Sequence, residues 1–434
     1  MRYYSTNRNS PEATLADAVI NGLAPDRGLY MPEAIDRLPD EFFAGIGEMT
    51  FHQIACRVAQ AFFGDDVPQP ELDNIVCDTL SFDTPVVPVH GDIYSLELFH
   101  GPTLAFKDVG ARFMARMLAY FIGKKGRKEK VTVLVATSGD TGSAVANGFL
   151  GVDGIDVVVL YPSGKVSEIQ EKQFTTLGRN ITAVEVTGTF DDCQALVKSA
   201  FMDADLNAHM RLTSANSINV ARFLPQAFYY FNAWAQLQWQ GLSDEVVMCV
   251  PSGNLGNLTA GLFAHRMGLP VKRFMAANNC NDVFLRYLES GKYDPKGTIT
   301  TIANAMDVGD PSNFARIIDI YGGSHERITQ VVSGYSFPDE KIREAVREVY
   351  EKYGYLMDPH GAVGYLALQK GLRKGERGVF LETAHPAKFL DTVQPIIGKP
   401  VEIPARLEEF MHGTRHTLPM SSGFDEFKQY LLSR

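Results

Sequence analysis

Short apolar runs rich in β-branched residues recur along the chain. Residues 131–136 read Val-Thr-Val-Leu-Val-Ala, between Lys130 and the turn Thr137-Ser138-Gly139. Consecutive rather than alternating apolar positions over this length predict a strand buried on both faces. Residues 155–160, 181–186, 245–250, 271–276 and 378–381 read the same way. Between the runs, apolar residues follow a helical spacing, as in Phe106, Val109, Phe113, Met117 and Phe121. Segments 165–177, 190–204, 218–238, 257–267, 339–353 and 361–370 share that pattern. Such alternation predicts an α/β fold with parallel or mostly parallel sheets flanked by helices. There are more strand–helix units than one small sheet needs. The expected organisation is therefore a mainly helical N-terminal domain over 1–95, a smaller α/β domain over 96–225 and a larger one over 226–434. The two α/β domains are expected to interleave along the chain.

Composition narrows the class. The chain has 434 residues, 45% of them hydrophobic, enough for a sizeable core. Its 41 basic and 51 acidic side chains give a net charge of −10, which disfavours nucleic-acid and anionic-membrane partners. No stretch approaches the roughly 18 apolar residues of a membrane span, and the first residues lack the apolar core of a signal peptide. The five cysteines, Cys56, Cys77, Cys193, Cys249 and Cys280, are odd in number and form no CxxC pair. Buried free thiols in a reducing cytoplasm are expected, with no metal site.

The loops after strands are where ligands sit in such sheets. Pro251-Ser252-Gly253-Asn254-Leu255-Gly256-Asn257 joins a predicted strand to a predicted helix. Its glycines allow backbone N–H groups to converge, and the helix start adds positive potential, so it can cradle a phosphate. It has neither the Walker A lysine nor the dinucleotide spacing, and a turn that binds nothing is the plain alternative. Ala136-Thr137-Ser138-Gly139-Asp140-Thr141-Gly142-Ser143 offers hydroxyls, a carboxylate and N–H groups, suited to an anion or simply to helix capping. Lys107 opens an apolar helix. There the dipole and desolvation disfavour its ammonium form and favour a nucleophilic amine, although a snorkelling lysine would look the same. A Schiff-base lysine together with a phosphate cradle describes a site for pyridoxal 5′-phosphate.

Five stretches in order carry a resemblance. They are Gly101-Pro102-Thr103-Leu104-Ala105-Phe106-Lys107-Asp108, Ala136-Thr137-Ser138-Gly139-Asp140-Thr141-Gly142, Ser214-Ala215-Asn216-Ser217-Ile218-Asn219, Gly253-Asn254-Leu255-Gly256-Asn257 and Glu382-Thr383-Ala384-His385-Pro386-Ala387-Lys388-Phe389. With them the chain resembles the threonine synthases of the fold-type II (tryptophan synthase β-like) pyridoxal-phosphate enzymes. Tyr3-Tyr4-Ser5-Thr6-Asn7 and Gly28-Leu29-Tyr30-Met31-Pro32 are similar to the longer subclass with an extra N-terminal domain.

The resemblance implies roles. Lys107 matches the Schiff-base lysine, Gly253, Asn254, Leu255, Gly256 and Asn257 the cofactor-phosphate loop, and Thr383 the hydroxyl facing the pyridine nitrogen. Asp140 stands where many relatives place an asparagine against the cofactor 3′-hydroxyl. Ser138 and Thr141 match the substrate-carboxylate loop. Ser217 and Arg222, with Lys165, are the candidates for the substrate phosphate. The implied reaction converts O-phosphohomoserine and water to threonine and phosphate, with Lys107 as the base at Cα, in a monomer or homodimer. A dehydratase or phosphoserine-using synthase of the same fold is the alternative enzyme, and a non-enzymatic phosphate-binding α/β protein the alternative class. His385 reads as packing beside the cofactor, with a general base as the second reading; Asn304, Asp307, Ser312 and Asn313 lie in a stretch that resembles a family-typical segment, although turn chemistry explains its composition as well. Arg112, one turn beyond Lys107, suits lowering that lysine's pKa or binding an anion, with a solvated helix face as the plain alternative; the run Lys124-Lys125-Gly126-Arg127-Lys128 reads as a helix end, and His100, Met202 and residues 228–231 as core.

Overall fold

The computed structural model describes residues 1–124 and 130–434, so most of the basic run beginning at Lys124 lies outside the described residues. The chain divides into two compact units, each built from separated segments.

The first unit comprises Met1, residues 31–106 and residues 223–402. Its six-stranded sheet runs in the order Val332–Ser336, Arg273–Asn278, Val246–Pro251, Arg377–Glu382, Ile93–Glu97, Val86–His90. Every neighbouring pair is parallel except the last, which is a hairpin. Val246–Pro251 and its neighbour Arg273–Asn278 are buried along their whole length, as expected where helices cover both faces. Phe51–Phe63 shows how the helices are specified. Thr50 and Gln53 form a reciprocal capping box at its start. One face then buries Ile54, Val58, Phe62 and Phe63, each large side chain contributing about 1.5–3 kcal/mol.

The second unit comprises residues 2–30, 107–222 and 403–434. Its five-stranded sheet is all parallel, in the order Leu418–Ser421, Ile181–Thr187, Ile155–Pro162, Val131–Ala136, Arg211–Ser214. Helices Lys107–Lys124 and Asp140–Phe149 pack together in this unit.

Several expectations change. Residues 1–95 are shared between the two units rather than standing alone, and they carry strands Arg2–Ser5, Ala13–Thr14 and Val86–His90 beside their helices. The last 32 residues return to the second unit. There Phe427 and Leu431 bury against Leu196 and Val197 of the helix Phe190–Met202. Met202 is 53% exposed at that helix's end, and His100 is exposed beside Glu97, so neither belongs to the core. Residues 228–231 are fully buried. Among the cysteines, Cys193 and Cys249 are buried, Cys56 and Cys280 half-buried and Cys77 exposed. Among the described residues, no helix is long and apolar enough to cross a membrane.

Candidate active site

In the first unit the strands Val246–Pro251 and Arg377–Glu382 are parallel neighbours, with Cys249 opposite Phe380. Their carboxyl ends are therefore adjacent, and the two loops that leave them, 252–257 and 383–385, start side by side.

The loop 252–257 is rigid for reasons that can be traced atom by atom. Ser252 donates its N–H to Ala277 O at 2.8 Å and its hydroxyl to Val250 O at 2.8 Å. Asn257 Nδ2 donates to Pro251 O at 2.8 Å, closing the turn on itself. Leu255 takes a left-handed conformation, φ 61°, and the helix Gly256–Arg266 begins directly after it. Gly253 must be glycine, because a Cβ there would meet Met306 Cα at 2.8 Å and Ala305 O at 3.0 Å. The backbone N–H groups of Gly253, Leu255, Gly256 and Asn257 have no acceptor among the described residues. Four unmet donors around a helix N-terminus form a built anion cradle.

Thr383 follows the neighbouring strand and is buried, yet its hydroxyl has no hydrogen-bond partner among the described residues. Its carbonyl accepts from Phe106 N–H at 2.8 Å, and Ala384 bridges Ala105. Lys388 Nζ donates to Thr103 O at 2.9 Å. The segment 103–106 is thus sewn to the segment 383–388, and Lys107 is the next residue in the chain.

His385 serves as a cap. Its Nδ1 accepts from Ala387 N–H at 3.1 Å. Burial, reinforced by His100, lowers its pKa to about 4, so the ring is neutral near pH 7. Its ring packs edge-on against Phe99.

Behind Thr383 lies a polar cluster that sequence reasoning missed. Glu382 Oε1 accepts from Asp358 N–H at 2.5 Å. Asp358 caps the helix Pro359–Gly371 through Gly361 N–H at 2.7 Å. His360 Nε2 accepts from Ala305 N–H at 3.1 Å, which leaves its Nδ1–H to donate to Asp358 Oδ2 at 3.2 Å. Burial, with Asp358 next, pushes the Glu382 carboxyl well above its ordinary range. The stretch 304–313 is also more than a turn. Asp307, pushed up to about 6 by burial, accepts from Thr301, Asn279 and Asn281.

In the second unit Thr137 shapes the loop after Val131–Ala136. Its hydroxyl oxygen accepts from Gly139 N–H at 2.9 Å and Gly142 N–H at 2.8 Å. Gly139 has φ 145°, and a Cβ there would meet the Gln170 amide at 2.6 Å. Gln170 Nε2 donates to Asp140 Oδ1 at 2.8 Å and so orients that carboxylate. The hydroxyls of Ser138 and Thr141 have no hydrogen-bond partner among the described residues, and both side chains are half-buried. Two N–H groups are thereby tied inward while two hydroxyls stay open to an anion.

Arg211–Ser214 pairs with Val131–Ala136 on one side and Ile155–Pro162 pairs on the other. Their loops bring Ser217 and Arg222, and Lys165, to the same sheet edge as Ser138 and Thr141. Lys165 is exposed. Arg222 is buried, and its Nε and Nη1 donate to Ala215 O at 3.0 Å and Lys107 O at 2.9 Å. It thus fixes the backbone of Lys107, the half-buried first residue of the helix Lys107–Lys124. Gly110 lies against it, since a Cβ there would meet Arg222 O at 2.2 Å. Among the described residues, no group of three His, Cys, Asp or Glu side chains is arranged to hold a metal ion.

Comparison with known proteins bears on the whole chain. The family described as "Pyridoxal-phosphate dependent enzyme" matches residues 80–383. "Threonine synthase N terminus" matches residues 2–80 and "Threonine synthase, C-terminal" residues 361–431. The chain is 44% identical over 432 residues to threonine synthase of Haemophilus influenzae, covering 100% of both chains. It is 45% identical over 425 residues to that of Escherichia coli, covering 97% of this chain and 96% of the other. The crystal structure of threonine synthase from Escherichia coli superimposes with a TM-score of 0.93 at 42% identity, covering 100% of both chains. A PLP-bound threonine synthase from Brucella melitensis gives 0.92 at 33% identity, over 100% of this chain and 99% of the other.

Proposed function

The chain belongs to the threonine synthase family of pyridoxal-phosphate-dependent enzymes, and from that premise we propose how its own residues carry out the conversion of O-phosphohomoserine and water to threonine and phosphate. The observation that carries the reading is the row of unmet N–H donors at Gly253, Leu255, Gly256 and Asn257, together with an unmet Thr383 hydroxyl just past the end of the neighbouring strand.

These residues fit pyridoxal 5′-phosphate. Donors alone, with no side-chain cation in the loop, suit a phosphate at a helix start. The Thr383 hydroxyl suits a pyridine nitrogen, and the Asp140 carboxylate, oriented by Gln170, suits the 3′-hydroxyl. When bound, the group supplies an electron sink for charge developing at the substrate carbons.

Lys107 is the residue whose amine would hold the cofactor through its carbonyl carbon. With substrate in place, the Lys107 Nζ takes the proton from substrate Cα and later returns a proton. Ser138, Thr141 and the surrounding N–H groups bind the substrate carboxylate and set Cα in reach of that amine. Arg222, Lys165 and Ser217 take the substrate phosphate. Cations there stabilise the charge that grows as the phosphate leaves Cγ. The substrate also gives up a proton from Cβ and gains one at Cγ, which becomes the methyl group; water must then add at Cβ only, so premature water has to be kept out.

The same reading assigns the enzyme to the cytoplasm, where five free thiols are stable. It assigns small-molecule substrates rather than nucleic acid as partners, and a monomer or homodimer as its assembly.

The test is to incubate the protein with O-phosphohomoserine and follow threonine and inorganic phosphate together. Equal release of both, abolished in Lys107→Ala along with the visible absorbance of the bound cofactor, is the expected result. Phosphate accompanied by 2-oxobutyrate and no threonine would move the assignment to a dehydratase-like eliminase.

A further inference from the structure

Arg316 is the largest fully buried side chain outside the aromatic residues of the described core, with 0% exposure. Neither the resemblance nor the proposed chemistry uses it. It stands on the helix Phe314–Ile320, which packs against the helix Gly256–Arg266 that opens at the phosphate cradle. Its guanidinium lies over the Phe223 ring, 4.0 Å from the centroid, and Phe223 in turn packs edge-on against Phe263 of that second helix.

From the guanidinium a bonded path leads into the loop. Arg316 Nη1 donates to Asn313 Oδ1 at 2.7 Å. That bond fixes which end of the Asn313 amide faces which way, because only the oxygen accepts. Asn313 Nδ2 then donates to Asn254 O at 3.0 Å. The adjacent Ser312 N–H donates to Asn254 Oδ1 at 2.6 Å. Both acceptors of Asn254 are therefore drawn toward residues 312–313. A peptide whose carbonyl is pulled to one side presents its neighbours' N–H groups to the other. Asn313 is itself fully buried, so an amide flip there would strand polar groups without water to meet them.

We propose that Arg316 is a positioning residue for the cofactor-phosphate loop, acting through the Asn313 amide to hold Asn254 so that the N–H groups of residues 253–257 converge on the anion. This rests on the assignment of that loop to the cofactor phosphate. The fixed positive charge behind the cradle adds to the pull on a dianion but does not touch it.

The test measures binding of pyridoxine 5′-phosphate, which carries the phosphate but no aldehyde, to full-length protein stripped of cofactor with hydroxylamine. Bond formation by Lys107 is thereby removed from the readout. Arg316→Met keeps the length and the contact with Phe223 but lacks the donor, and it should weaken binding about tenfold or more. Arg316→Lys, which can still donate to Asn313, should recover part of the loss. Asn313→Asp keeps the guanidinium and its bond but cannot donate to Asn254 O, and it should lose as much as Arg316→Met. It also keeps the proposal testable where Arg316→Met does not fold. Wild-type-like binding by folded Arg316→Met, or by folded Asn313→Asp, overturns the inference. Gly253→Ala separates it from the premise. If that variant binds like the wild type, the loop is not the phosphate site, and the assignment falls together with the inference.

Discussion

The backbone N–H of Phe106 donates to the carbonyl oxygen of Thr383 at 2.8 Å, while the Phe106 carbonyl accepts from the Tyr229 hydroxyl at 2.7 Å. Both backbone polar groups of Phe106 are committed, one to Thr383 just past the strand Arg377–Glu382 and the other to a buried helix. The lysine that follows therefore leaves from a fixed point. Its orientation depends on bonds made by the residue before it.

That arrangement makes Tyr229 more than a core aromatic. Tyr229→Phe keeps the ring and removes the donor, leaving the Phe106 carbonyl without that bond. The expected cost is about 1–3 kcal/mol of stability, with a several-fold fall in kcat as the Lys107 backbone loosens. Urea unfolding and steady-state kinetics on the same preparation check both.

Gly361 marks a second tight contact. A Cβ at that position would lie 1.5 Å from Glu382 Oε2, and the Glu382 side chain is held by Asp358 N–H. Gly361→Ala should destabilise the protein by about 1–3 kcal/mol through forced displacement of Glu382. Gly123→Ala, on a helix face where a Cβ meets nothing within 4 Å, should be neutral or slightly stabilising by comparison. Thermal unfolding of the two variants side by side measures the difference.

Glu382 also gives a pH signature. Its Oε2 is buried with no partner among the described residues, and burial raises its pKa from the ordinary 4.5. Above pH 4.5 the unfolded chain releases this proton while the folded protein keeps it. The contribution to stability is thus fully present below pH 4.5 and is lost as pH rises toward the folded value. Glu382→Gln, a neutral side chain whose oxygen can still accept from Asp358 N–H, should remove that loss. Its melting temperature relative to wild type should rise between pH 5 and pH 8, and a constant difference across the range would contradict the buried neutral acid.

His385 acts in the opposite direction. Its pKa falls from 6.5 to about 4 on folding. As pH drops from 6.5 toward 4, the unfolded chain takes up a proton that the folded one refuses, so stability declines over that window, by at most about 3 kcal/mol. His385→Asn can still cap Ala387 and does not titrate. It should flatten the acid side of the stability curve and leave kcat within a few-fold at pH 8. Loss of activity by a hundredfold or more would make His385 a participant in proton transfer.

How much of this was legible in the sequence follows from burial. Val131–Ala136 and Val246–Pro251 are buried at every position, so their unbroken apolar runs announced central parallel strands. Arg211–Ser214, Val332–Ser336 and Leu418–Ser421 lie at sheet edges or near them, and their mixed, polar sequences carried no such signal. The two anion loops stood out because glycine, asparagine and hydroxyl residues cluster where a strand meets a helix. The side chains that support them did not. Gln170 acts on Asp140 from 30 residues away, and Asn313 acts on Asn254 from 59, separations that only the fold closes. Arg222, proposed for the substrate phosphate, also gives two of its N–H groups to carbonyls, a use that composition does not reveal. Asp358 before Pro359 was an available helix-start signal, and it would have drawn attention to His360 two residues on.

The return of residues 403–434 to the second unit sets an order on biosynthesis. Until residues 418–421 have been made, Ile181–Thr187 is the outermost strand of its sheet, a raw hydrogen-bonding margin with no mate. Leu418–Ser421 seals it only after the whole of residues 188–417 has been synthesised. A polypeptide stalled before Leu418 would leave that margin open to pairing with other nascent chains, so this late strand guards against self-association as well as completing the sheet.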